Sequence, residues 1–178
     1  RLNELEVVDS NKIGDREGLK YLPDGPEGPE VHTPEAFKKI YQVVKDSGYV
    51  GATMPTQYGG GGAPFTTAIL AGEVGIASNM AFYMGPGLSH GAMKTILKKA
   101  TEELKDKYLP NMTSGEWMGT MCLTEPQCGT DLGLIKTTAK PVDDYYELNG
   151  QKIWISFGEH DLTENIIHLV LARTPDAP

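Results

Sequence analysis

Thr124, Glu125, Gly129, Thr130 and Asp131 fall within one short stretch, Gly119-Thr120-Met121-Cys122-Leu123-Thr124-Glu125-Pro126-Gln127-Cys128-Gly129-Thr130-Asp131. The apolar run Met121 to Leu123 stops at Thr124-Glu125-Pro126. Proline cannot extend a β-ladder, and Gly129 permits backbone angles that other residues resist. The expected result is a loop rich in free amide N–H groups, flanked by the hydroxyls of Thr124 and Thr130. Such a nest of donors suits a flat, acceptor-rich ring or a phosphate. Taken alone, a strand ending in Thr-Glu-Pro is equally a plain turn signal.

The elements that must position this loop are read from the rest of the chain. Residues 1–22 are mostly polar and predict a short or frayed helix. Tyr21 to Glu30 holds three prolines and two glycines, which predicts a connecting loop with nothing regular in it. Thr33-Pro34-Glu35 is a helix start, with an N-cap hydroxyl, a proline and an acid at the positive end of the dipole. Phe37, Ile40, Tyr41 and Val44 then recur at helical spacing, and Gly48 supplies the stop. Gly59 to Gly62 are four consecutive glycines, but the Lys-Ser/Thr of a phosphate-binding loop is missing, so a flexible inter-helix loop is expected. Phe65, Ile69, Leu70, Val74 and Ala77 fit a helix over 64–78 with many small residues, and Glu73 within it reads as a structural acid rather than a base. Gly85-Pro86-Gly87 is expected to break the chain before a helix carrying Leu88, Ala92, Met93, Ile96 and Leu97. Thr101-Glu102-Glu103 caps a further helix that Pro110 should end, with Glu103 placed to pair with Lys107.

After Gly119 the character changes to strand. Residues 143–156 read as a hairpin centred on Asn149-Gly150, a pair that favours a type I′ turn. Ile166 to Ala172 is a short apolar strand interrupted by His168. A boundary near residue 118, all-α before and all-β after, is the simplest account.

Composition narrows the function classes. A chain of 178 residues suits one ordinary domain or two small ones, and its formal charge of −8 argues against nucleic acid or an anionic membrane as partner. No apolar run approaches a membrane span, and no signal-peptide pattern opens the chain. The first residue is Arg1, so a piece of a longer protein is expected. Cys122 and Cys128 lie six residues apart, neither a zinc nor a redox spacing, and predict free thiols in a reducing cytoplasm. Glu159, His160, Asp161, Glu164 and His168 could form a metal cluster, but without a His-Glu-x-x-His pattern a solvated acidic loop with positioning histidines fits better. His32 and His90 carry no signal.

Residues 121–131, followed by Asn149-Gly150-Gln151-Lys152-Ile153-Trp154-Ile155-Ser156, resemble the flavin-binding signature of the acyl-CoA dehydrogenase family. Pro55 to Gly60 and Thr101 to Trp117 resemble the family's preceding loop and its approach to the flavin strand. The resemblance implies an α+β fold, truncated: an all-α N-terminal domain over 1–118, then the start of an antiparallel β-barrel-like middle domain over 119–178. It implies FAD as cofactor, with the amides of Met121, Cys122, Leu123 and Thr124 and the Thr124 hydroxyl at the polar edge of the ring. Gly129 and Thr130 would reach the flavin pyrophosphate, with Thr130 also bordering the acyl-CoA channel, and Trp154, Ile155 and Ser156 would wall the flavin. Without the first block, Trp154 reads rather as a cross-strand aromatic on a sheet face.

The departures are also informative. Thr130 stands for the usual serine and Ser156 for the usual threonine, each keeping a hydroxyl. Gln127 and Cys128 replace Gly and Ala, which predicts a less tightly bent loop, and Phe157 replaces an Asn. The segment 158–168 resembles the 3-methylmercaptopropionyl-CoA dehydrogenase-like subgroup, which acts on a short thioether acyl-CoA. The family resemblance implies an acyl-CoA substrate, electron-transfer flavoprotein as acceptor, a homo-oligomer, and a catalytic glutamate in a C-terminal domain. No carboxylate of this chain takes that role. A flavin-binding relative serving as a scaffold is the alternative, and an isolated helical interaction module is a third.

Overall fold

Phe37, Ile40, Tyr41 and Val44 are all buried along one face of helix α2 (Glu35–Asp46), as their spacing requires. The computed structural model describes residues 7–26 and 28–175. At about 1.5–3 kcal/mol for each fully buried large apolar side chain, this stripe anchors the helical layer. Phe82, on helix α4 (Met80–Lys99), meets Phe37 and Tyr41 edge-on at centroid distances of 5.7 and 6.4 Å. The Tyr41 hydroxyl donates to Gly115 O at 2.8 Å, and burial pushes its pKa up.

Helix α1 (Val8–Glu17) packs on α2 and α4, and an antiparallel ribbon follows it: β1 (Lys20–Gly25) and β2 (Gly28–His32). A loop was expected here. Pro23 falls in the irregularity between Leu22 and Gly25, Pro26 in the turn, and Gly28 takes φ +118. A two-stranded ribbon consists only of edges, so its prolines find positions where no N–H is needed.

Helix α3 (Phe65–Ser78) joins α4 at Asn79, whose side chain accepts from Phe82 N at 3.0 Å and donates to Ser10 Oγ at 2.9 Å. This is where the chain breaks. Gly85-Pro86-Gly87 lies inside α4, and Pro110 lies inside α5 (Glu102–Ser114). An interior proline costs about 3 kcal/mol. Here full burial of Phe82, Met93, Leu109 and Met112 on the two helices offsets it. Lys107 Nζ lies over the Tyr108 ring at 5.2 Å, and Lys105 pairs with Glu102, so the expected Glu103–Lys107 pair is replaced. On α3 the pattern inverts: Gly72 and Gly75 are buried, while Phe65, Ile69, Leu70 and Val74 face outward. The four-glycine segment is not loose either. Gly60, Gly61, Gly62 and Ala63 donate back to Pro55, Gly51, Met54 and Ala52.

Strand β3 (Trp117–Cys122) packs on α4 and pairs in parallel with β6 (Asn165–Val170), from Trp117↔Asn165 to Cys122↔Val170. Strands β4 (Thr138–Val142) and β5 (Tyr145–Asn149) form an antiparallel hairpin. Its turn is Asp143-Asp144, with Asp143 at φ 49, rather than the expected Asn149-Gly150. Among the described residues these pairs are separate two-stranded sheets, and no barrel closes.

Gly119 sits where β3 meets the helices. An added Cβ would lie 2.7 Å from both Ala92 Cβ and Met112 Cε. Gly119→Ala is therefore expected to destabilise the fold by about 1–3 kcal/mol through overpacking, read as a lower urea midpoint at unchanged slope.

Candidate functional site

β3 delivers its C-terminal end to the expected loop. Leu171 N donates to Cys122 O at 3.0 Å, so Cys122 bonds toward β6 and its neighbours Met121 and Leu123 turn their amides the other way. Thr120, fully buried, meets His168 Nδ1 at 2.6 Å and fixes the two strands side by side. Beyond them, Glu125 and Cys128 exchange backbone hydrogen bonds of 2.8 and 3.1 Å around Pro126-Gln127. The loop is thus tightly turned despite Gln127 and Cys128, because proline pre-sets the turn angle. Gly129 and Thr130 stand exposed on its far side. Among the described residues, the amides of Leu123, Thr124, Gly129 and Thr130 donate to no protein acceptor.

The second block comes to the first. Ile153 N donates to Thr124 O at 3.0 Å, and Lys152 Nζ reaches Leu123 O at 3.0 Å and Glu125 Oε1 at 2.9 Å. Glu125 is 3% exposed and accepts four donors: Lys152 Nζ and Thr137 N at Oε1, Gln127 Nε2 and Lys136 N at Oε2. Burial pushes its carboxyl up, but the Lys152 ammonium and the other donors outweigh this and hold it well below the usual carboxylate range. Glu125 and Lys152 carried no sequence prediction. The available signal was an acid two residues after the apolar run 121–123 and a cation directly before Ile153-Trp154-Ile155.

Residues 151–155 form no strand, and Trp154 is 86% exposed with φ 59. Phe157 repeats the left-handed backbone at φ 55. For a side chain with a Cβ this conformation costs about 1–2 kcal/mol per residue, so the surroundings must impose it. Ser156 lines a cavity of about 390 Å³ with Phe157, His160, Phe37 and Met84. The structure therefore brings Met121–Thr124 beside Lys152–Ile155 and leaves the Trp154 indole open. Gly129 and Thr130 lie beyond the turn.

The segment after Ser156 is docked, not solvated. Asp161 Oδ1 accepts Thr33 N at 2.9 Å and Thr33 Oγ1 at 2.7 Å, while Oδ2 meets His32 Nδ1 at 3.0 Å and Lys38 Nζ at 2.9 Å. Burial raises the Asp161 carboxyl, but Thr33, Lys38 and His32 together hold it well below its ordinary value. The Thr33 hydroxyl is thus spent on Asp161 rather than on capping α2, and His32 bridges Asp161 to Glu30 at 3.1 Å. Among the described residues no group of three or more His, Cys, Asp or Glu is placed to hold a metal ion.

His160 is 6% exposed, and its Nδ1 accepts Leu162 N at 3.2 Å. Burial lowers its pKa to about 4, against a smaller raising effect of Asp161. The ring is neutral in the fold, whereas the unfolded chain protonates it near 6.5. Stability therefore falls as pH drops below that value, by about 2 kcal/mol between roughly pH 7.5 and pH 5. Urea unfolding at the two pH values should show this loss, and His160→Gln should remove most of it.

The open amides and the exposed indole match what a flavin asks of a protein: N–H donors at its polar edge and an apolar wall. The acyl-CoA dehydrogenase N-terminal domain model matches residues 26–116, and the middle-domain model matches residues 120–178. A 3-methylmercaptopropionyl-CoA dehydrogenase of Ruegeria pomeroyi is 43% identical over 97% of this chain, which spans 29% of that relative's length. The butyryl-CoA dehydrogenase structure from Megasphaera elsdenii superposes with a TM-score of 0.76 at 24% identity, covering 99% of this chain and 43% of that one. An acyl-CoA dehydrogenase from Bacillus anthracis, solved with FAD, gives 0.67 at 30% identity over 79% of this chain and 24% of its own.

Proposed function

The chain belongs to the acyl-CoA dehydrogenase family, and from that premise we propose that the whole protein is an FAD-dependent dehydrogenase forming the C2=C3 double bond of an acyl-CoA. The observation that carries this reading is the junction of the two blocks, Ile153 N on Thr124 O with Lys152 Nζ on Leu123 O and Glu125. It sets the stretch with open amides at Leu123 and Thr124 against Ile153, one residue before the exposed Trp154. Residues 1–118 act as the helical domain and 119–178 as the beginning of the flavin-bearing domain.

A bound flavin supplies the two-electron acceptor for the hydride that leaves the acyl β-carbon. The chain's own residues do the holding. Met121, Leu123 and Thr124 line the polar edge of the ring with backbone donors, whereas Cys122, expected as a fourth, turns its backbone into the β3–β6 pairing. Gly129 and Thr130 offer amides and a hydroxyl for the pyrophosphate, and Thr130 borders the acyl-CoA path. Trp154, Ile155 and Ser156 form the wall that excludes water from one face. Glu125 and Asp161 are each consumed by four donors, so neither is free to take the α-proton, and the family resemblance assigns that base to a C-terminal domain.

The substrate class follows the named relative: a short thioether acyl group of the 3-methylthiopropionyl type, in a protein that passes electrons to electron-transfer flavoprotein and works as a homo-oligomer in the cytoplasm. Anaerobic titration of the whole protein with a panel of acyl-CoAs, followed at the visible flavin band, tests this. Bleaching by a short thioether acyl-CoA is the expected result. A bound flavin that no acyl-CoA reduces would point to a flavin-binding scaffold, and absence of any flavin would remove the cofactor assignment.

A further inference from the structure

The segment that carries Trp154 is strained, yet nothing within it accounts for the strain. Trp154 and Phe157 both hold left-handed backbone angles within four residues, and the one turn bond inside the segment is Gly158 N to Ile155 O at 2.9 Å. Such conformations persist only where the flanks over-determine them. On the N-terminal flank, the block junction at Lys152 and Ile153 does so. On the C-terminal flank, two contacts reach across to the helical part of the chain. The Phe157 ring occupies the notch left by Gly85 on α4, where an added Cβ would lie 2.7 Å from Phe157 Cε1. Asp161, four residues on, accepts four donors supplied by β2, the start of α2 and the residue between them. It is the only polar anchor among the described residues joining 156–161 to the helical layer.

We propose that Phe157 in the Gly85 notch and Asp161 in the His32–Thr33–Lys38 cradle form a two-point latch through which the helical layer sets the angle of the Trp154–Ser156 wall. Asp161 is then a positioning residue for the flavin, acting across the domain boundary without touching the cofactor. The inference rests on the reading that Trp154 to Ser156 wall the flavin. It explains two features together: why Phe157 stands where a polar Asn is usual, and why a carboxylate in an expected solvent loop is bound by four donors. The aromatic ring fills a glycine-sized gap, and the charge-assisted bonds fix the direction of approach.

The test uses the whole protein freed of flavin. Asp161→Ala is expected to raise the flavin Kd about tenfold and to speed hydrogen exchange at residues 154–158 in the flavin-free state. Thr33→Val, distant in sequence and outside the flavin segment, should shift both readouts in the same direction by a smaller factor. Its effect should largely vanish in the Asp161→Ala background, because both act through one contact. A role confined to fold stability would lower the unfolding temperature of both variants and leave flavin affinity and local exchange at the parent values, and that result overturns the latch. If Asp161→Ala does not fold, Thr33→Val and Gly85→Ala carry the same readouts, and parent-like flavin affinity in both overturns it equally. An unmutated protein that takes up no flavin would instead remove the cofactor reading on which the latch rests.

Discussion

Lys152→Met is expected to abolish flavin binding and to lower the unfolding temperature more than any other single change in the flavin segments. The substitution keeps most of the side-chain volume and deletes the ammonium that joins Leu123 O and Glu125. Glu125 is then a buried carboxylate without its cation, the situation in which breaking an ion pair costs most. Three neutral donors still reach it, from Gln127, Lys136 and Thr137, but none carries charge. Glu125→Leu in the Lys152→Met background should not restore stability, which distinguishes this pair from buried pairs that apolar replacements can substitute. The reason is local: removing the carboxylate also orphans the amides of Lys136 and Thr137, at about 1–3 kcal/mol each. Thermal unfolding of the flavin-free protein and flavin titration, run on both variants, check the two halves. A Lys152→Met protein that unfolds at the parent temperature would show that the pair is not what holds the two blocks together.

Trp154→Gly should move stability and binding in opposite directions. The indole is 86% exposed, so little packing is lost in the flavin-free protein. At φ 59 a glycine relieves the left-handed strain, and the flavin-free fold should hold or gain up to about 1 kcal/mol after the backbone entropy of glycine is counted. Flavin affinity should fall about 10- to 100-fold with the aromatic wall gone. Trp154→Phe should retain most of the affinity and all of the strain. The informative readouts are the urea midpoint without flavin and the flavin Kd. A large loss of stability on Trp154→Gly would mean that the indole is a core residue and not a ligand-facing wall.

The covalent order of the chain is a good guide wherever the decisive contacts are local. The stripe Phe37, Ile40, Tyr41, Val44 specified α2, because periodicity reports which face is buried, and the apolar runs 121–123 and 166–172 marked two strands whose bounds are Trp117–Cys122 and Asn165–Val170. The two blocks that resemble the family's flavin-binding signature were legible as motifs, and the structure brings the first against the second. What proved misleading were rules that price a residue in isolation. Pro86 and Pro110 sit inside helices because burial of Phe82, Met93, Leu109 and Met112 outweighs one lost hydrogen bond each. The prolines of residues 23–29 sit in a ribbon because its edges need no donor there. The outward-facing apolar side chains of α3 read as core because helical spacing cannot say which of two faces, apolar or glycine-lined, meets the neighbour.

By itself, then, the sequence determined the family and, the β1–β2 ribbon apart, the order of helical and strand regions, both of which depend on residue type over short spans. Only the tertiary structure decided what holds that site in place. Glu125 with Lys152 is a contact across 27 residues, and Asp161 with Thr33 one across 128. Neither pair has a pattern along the chain, since its partners meet only when the strands and helices have packed. A carboxylate in sequence is an exposed charge by default. Here the fold surrounds two of them with donors and turns them into the fixed points of the site.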